Sequence, residues 1–88
     1  MKVIVLYRPN SEHGRVVEEF IRDYKRAGHN GEIEAFNIDT REGSSMASLY
    51  DVMQYPTVMV TRSDGSVLRS WEGKLLPLQN EVAAYAYS

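Results

Sequence analysis

The sequence predicts an α/β (α+β) fold with element order βαβαββα, and three observations carry that prediction. The chain opens on a nearly unbroken apolar run, Lys2-Val3-Ile4-Val5-Leu6-Tyr7, closed by a proline at position 9. Apolar residues then recur at helical spacing through Val16, Val17, Phe20, Ile21 and Tyr24. Later, Thr57-Val58-Met59-Val60-Thr61 and the stretch Val67 to Trp71 flank the tight-turn signal Ser63-Asp64-Gly65.

Taken in order, the first strand is apolar at almost every position, which suits a central strand buried on both faces. The helix after it is expected from about Ser11 to Ala27, with Ser11 as its cap and the five apolar residues on one buried face. Glu18 and Arg22 stand four apart in the favourable order, worth roughly 0.3 kcal/mol on an exposed face. Gly28 suits a helix C-terminus, and Gly28-His29-Asn30-Gly31 reads as a turn. Glu32 to Ile38 alternates polar with apolar, Ile33, Ala35 or Phe36, and Ile38 being the buried positions. The break at Ala35-Phe36 suits a strand covered on both faces. Thr40 to Ser45 reads as polar loop, and Met46, Leu49, Tyr50 and Met53 mark a short second helix capped by Ser44 or Ser45 and ended by Pro56. Pro77 suits a first helical position, and Leu78, Val82, Tyr85 and Ala86 mark a terminal helix. The two early strands pair in parallel through a right-handed crossover, and the late hairpin is antiparallel.

With 88 residues, the chain reads as one domain spanning residues 1–88, near the lower end of what supports a core. Its 43% hydrophobic and 25% charged residues are ordinary for a globular protein. There is no cysteine, so neither disulfides nor cysteine-based zinc sites hold the fold, and burial must. A net charge of −2 gives no electrostatic case for nucleic acid or an anionic membrane. The apolar start is too short for a signal peptide and runs into Arg8-Pro9, and no run approaches membrane-spanning length. A cytoplasmic location is expected.

Several residues invite a chemical reading and have a simpler one. Ser11 and His13 suggest a nucleophile and base, but residues two apart on a helix do not face each other, and no third group orients the imidazole. Glu12, His13 and His29 match no compact metal site, so neither metal nor cofactor is expected. Arg8, Arg15, Lys25 and Arg26 could grip an anion with the helix N-terminus. Arg8 is the best placed, and the other three read as the solvated face of the helix. The glycines form no phosphate loop. Trp71, Tyr85 and Tyr87 could make an aromatic patch, although core packing claims Tyr85 and Trp71 first.

The element order is joined by local matches. Asn37-Ile38-Asp39 ends the second strand, Tyr50 to Thr57 carries a helix end, a short loop and a proline before a strand, and Trp71-Glu72-Gly73 follows the hairpin. Over nearly its whole length the chain resembles the thioredoxin-like superfamily in its minimal, glutaredoxin-sized form. The resemblance implies a four-stranded mixed sheet in order 2-1-3-4 flanked by three helices. It places the attacking cysteine of the family at Ser11, the resolving cysteine at Gly14 and the buried acid at Val5. In the family the helix N-terminus favours a thiolate. A serine oxygen cannot form the mixed disulfide that thiol–disulfide exchange requires, so disulfide oxidoreductase activity is not expected. Gly14 and Val5 depart from the family pattern together with Ser11, which marks an inherited loss and not a single engineered exchange.

The resemblance also makes Pro56 the family's cis-proline and Tyr55 the residue whose backbone pairs with an extended peptide or glutathione. The expected binding face is therefore Asn10, Ser11, Glu12, His13, Tyr55 and Pro56, with a peptide or protein as partner and a monomeric chain. Two other classes remain open. One is a monothiol oxidoreductase whose cysteine is replaced by Ser11, decided by the residue at position 11 in the native gene. The other is a structural or assembly domain, decided by mass in solution across concentration.

Overall fold

The computed structural model describes residues 1–28, 32–73 and 76–86. The elements are β1 (Lys2–Tyr7), α1 (Gly14–Arg26), β2 (Glu32–Asn37), α2 (Arg41–Leu49), β3 (Thr57–Thr61), β4 (Val67–Glu72) and α3 (Gln79–Ala86). They build one mixed sheet in the order β2-β1-β3-β4, with β1 parallel to β2 and antiparallel to β3, and β3 antiparallel to β4. The predicted α/β order and sheet are the observed ones. His29, Asn30, Gly31, Leu75 and Tyr87 lie outside the described residues. No described helix is long and apolar enough to cross a membrane.

The apolar run of β1 follows from its central place. Side chains alternate across a strand, so Val3, Val5 and Tyr7 join Val58 and Val60 under Val17, Phe20, Tyr24 and Val82. Ile4 and Leu6 join Met59 on the other face, under Ala47 and Val52. Both faces are covered, and Val3 to Leu6 are all apolar and buried. β2 is an edge strand and none of its residues is fully buried. Ile33 packs toward the α1 face and Phe36 and Ile38 toward the α2 face, as its broken alternation suggests, while Ala35 is exposed.

α1 starts at Gly14 and not at Ser11, and it ends beside Gly28 at φ +71°, a left-handed position that glycine adopts without strain. Its buried arc is Val17, Phe20 and Tyr24 with Ile21 partly covered, whereas Val16 is 54% exposed. Val16 flanks that arc in the first turn, where its neighbour is a cleft and not the sheet. The Glu18–Arg22 pair does not form among the described residues. Glu18 instead accepts a hydrogen bond from the Tyr7 hydroxyl at 3.2 Å, and Arg22 lies 3.9 Å from Asp23.

Burial pushes the Tyr7 hydroxyl above the usual tyrosine range, and the nearby Glu18 charge adds to the shift. A raised pKa in the folded state means stability present below the ordinary tyrosine value of about 10 and lost as pH rises through the folded value. Tyr7→Phe is therefore expected to make the alkaline loss of stability shallower than in the parent, read from denaturant midpoints between pH 8 and 11. Identical alkaline slopes would show that Tyr7 does not report its burial this way.

α2 begins at Arg41, inside the stretch read as loop, and its cap is Thr40 rather than Ser44 or Ser45. The Thr40 hydroxyl accepts from the Gly43 N–H at 3.0 Å. Apolar spacing could not show this turn because its outer residues are polar. The helix ends at Leu49, followed by Asp51 at φ +55°, so Pro56 lies well beyond its end. Leu49 and Met53 are exposed, and Ala47 and Val52 make the core contacts expected of them. Thr40→Ala is expected to cost about 1 kcal/mol through the lost cap, seen as a lower urea midpoint at unchanged slope.

In the β3–β4 hairpin, Gly65 sits at φ +91° and donates to the Arg62 carbonyl at 2.9 Å. A register shift beyond Val60 lets Leu68 reach the core while Arg69 lies over the Trp71 ring, 5.3 Å from its centroid. Trp71 and Tyr85 meet edge to face at 5.8 Å and pack against the core. α3 begins at Gln79, two residues after Pro77, so Pro77 is not its first residue. Leu78 precedes the helix and is exposed, its N–H donating to the Glu81 carboxylate at 3.0 Å as in half of a capping box.

Candidate functional site

The carboxyl end of β1 leads through Arg8–His13 into α1, and three hydrogen bonds shape this loop. The Ser11 hydroxyl donates to the Arg8 carbonyl at 2.6 Å, the Arg8 N–H donates to His13 Nε2 at 3.2 Å, and the Gly14 N–H donates to the Ser11 carbonyl at 3.1 Å. Ser11 is thus not the helix cap. The cap position belongs to His13, whose side chain makes no capping bond. The serine hydroxyl is turned back into the loop, and no hydrogen bond joins Ser11 to His13.

Gly14 has a positive structural reason. A Cβ there would overlap the Pro9 carbonyl oxygen, lie 2.7 Å from the carbonyl carbon, and crowd the Arg8 oxygen at 3.2 Å. The first turn of α1 rests directly on the loop backbone. The position that the resemblance gives to a resolving cysteine is one where this backbone has no room for a side chain.

The facing wall comes from the segment before β3. Thr57 donates its hydroxyl to the Gln54 carbonyl at 2.5 Å, the Tyr55–Pro56 bond is cis, and the Pro56 carbonyl accepts from the Gly73 N–H at 3.1 Å. The loop is thereby tied to its own strand and to the end of β4. Pro56 is buried, and Tyr55 is half-buried against the α2-side core. The backbone N–H and carbonyl of Tyr55 bond to no described residue.

Between these walls lies an open cleft of about 350 Å³ lined by Glu12, His13, Val16, Val17, Tyr55, Pro56 and Leu76. It brings together four of the six residues expected at the binding face. Asn10, exposed, and Ser11, half-buried, stand in the adjoining loop outside the lining. Sequence reasoning missed Val16, Val17 and Leu76 as cleft residues. Helical spacing puts both valines on the core face, where Val17 does lie, and Leu76 carries no signal beyond its place before Pro77.

Arg8 does not join this cleft. It lines a second one, about 380 Å³, on the far side of Tyr55 with Ala47, Val52 and Met53, and its Nε lies 3.2 Å from both Asp39 oxygens. The anion grip imagined for Arg8 and the α1 N-terminus is therefore not assembled. Arg15 and Lys25 are exposed, and Arg26 lies 3.9 Å from Asp23. Among the described residues no group of three His, Asp or Glu stands close enough to hold a metal ion.

Val5, at the position that the resemblance gives to a buried acid, is fully buried between Ala35 and Val58. With no cysteine in the chain, the site holds no thiol redox centre. Comparison with known protein families and with characterised sequences returns no match to the chain. Element order, sheet order and the βα junction give it thioredoxin-like topology without a cysteine.

Proposed function

We propose that this is a non-catalytic thioredoxin-like domain that holds an extended peptide or protein segment non-covalently in the cleft between Glu12–His13 and Tyr55–Pro56. The observation that carries the reading is that the main chain of Tyr55, beside a largely apolar cleft, pairs with no described residue. An extended segment satisfies such groups by strand-like pairing, while its side chains enter the neighbouring pocket. Val16, Pro56 and Leu76 supply apolar surface, Glu12 sits at the rim, and Asn10 and Ser11 flank one end. Without a thiol the domain retains its partner by contact alone.

Amide-shift titration with an extended-peptide library and, separately, with glutathione tests the reading. Shifts are expected to cluster at residues 10–13 and 55–56. Val16→Asp, at an exposed position, is expected to weaken binding about tenfold with little effect on folding. Shifts that scatter, or that gather elsewhere, would remove the groove assignment. Disulfide-reduction assays should stay at background, and turnover above it would overturn the non-catalytic reading.

A further inference from the structure

We infer that His13 is an acid-sensitive latch that fastens the 8–13 loop and so holds one wall of the cleft. The inference rests on the contact between the Arg8 N–H and His13 Nε2, 3.2 Å long, at the loop's entry into α1. A ring nitrogen accepts a hydrogen bond only while it carries no hydrogen. The contact therefore requires the neutral imidazole with its hydrogen on Nδ1, the tautomer that this bonding pattern fits. A second proton places N–H against N–H and breaks the latch.

His13 occupies the cap position of α1, where the helix end already carries partial positive charge. Arg15 follows in the first turn, and the Arg8 guanidinium is turned away to Asp39. Glu12, next along the loop, makes no hydrogen bond to the ring. Across the cleft the described neighbours are Tyr55, Pro56 and Leu76, none charged at neutral pH. Of the three bonds that shape the loop, the other two involve groups that do not titrate, whereas histidine changes charge between about pH 5 and 8. Because His13 both lines the cleft and holds Arg8, acid releases the loop and the wall together. This holds whatever the cleft binds.

Nitrogen-15 and proton NMR of the full chain decides the matter. At neutral pH the His13 ring is expected as the Nδ1–H tautomer. The Arg8 amide shift is expected to move with the His13 ring titration, and its hydrogen exchange, corrected for intrinsic chemistry, to quicken about tenfold on the acid side. In His13→Ala the Arg8 amide should be unprotected and free of that titration. An Nε2–H tautomer at neutral pH, or an Arg8 amide indifferent to the ring's titration, would overturn the latch, and both are read on the parent protein even if the variant fails to fold.

Discussion

Gly14→Ala is expected to destabilise the domain by about 2 kcal/mol, although alanine is the better helix former. Helix propensity alone favours the change by about 1 kcal/mol. Against that stands a Cβ driven into the Pro9 carbonyl and crowding the Arg8 oxygen, both backbone groups with no side chain to swing aside. Overpacking against an immobile neighbour costs about 3 kcal/mol at the upper end of its range, so the clash wins. To relieve it α1 must lift at its first turn, which also displaces His13 and Val16 in the cleft. Urea unfolding checks the stability, and amide shifts check whether the change centres on residues 8–17. The same geometry predicts that Ser11→Cys combined with Gly14→Cys is less stable than Ser11→Cys alone. A Gly14→Ala protein as stable as the parent would mean that the helix is not seated on this loop.

Gly43→Ala is expected to cost about 3 kcal/mol, the larger effect. A Cβ at this position would overlap the Asn37 carbonyl oxygen and lie 3.0 Å from the Ile38 Cα. The Gly43 N–H is also the donor that the Thr40 hydroxyl accepts. Tilting α2 to make room therefore weakens the cap, worth about 1 kcal/mol, on top of the overpacking. The propensity gain of about 1 kcal/mol does not offset both. The check is the urea midpoint together with amide exchange at Ile38, whose N–H bonds the Tyr7 carbonyl at 3.0 Å. Stability equal to the parent or higher would show that α2 stands clear of the end of β2.

The two glycines play equivalent parts at the β1–α1 and β2–α2 junctions. Each lets the first turn of a helix rest on the carbonyl of the segment that precedes it, close to the end of a parallel strand. That contact explains a difference between expectation and structure at both sites. Gly14 read as the place of a lost cysteine and Gly43 as loop, yet each is there because a backbone approaches it.

Much of the fold was legible, and for definite reasons. Lys2 to Tyr7 lacks alternation because both faces of the sheet are covered, so a central strand could be read directly. Ser63-Asp64-Gly65 between two β-prone runs defined the hairpin, and absence of cysteine excluded thiol chemistry whatever the fold. Helix starts were less legible. Apolar spacing reports the buried stripe, and the first turn of α2 is polar outside and seated by a glycine. Leu49, Met53 and Leu78 were misplaced because helical spacing identifies a common face but does not say whether anything covers it.

Chain order, strand character, hairpin position and the lack of any thiol follow from local composition and periodicity, which act over a few residues and need no knowledge of neighbours. The cleft does not follow from them. Val16 faces it because α1 meets Tyr55, Pro56 and Leu76, segments 39 or more positions away in the chain. Arg8 turns from it because Asp39 lies beyond the parallel crossover, and Gly14 is required because the Pro9 carbonyl occupies the space a side chain would fill. Contacts between distant segments leave no period in the sequence, and the site is made of such contacts.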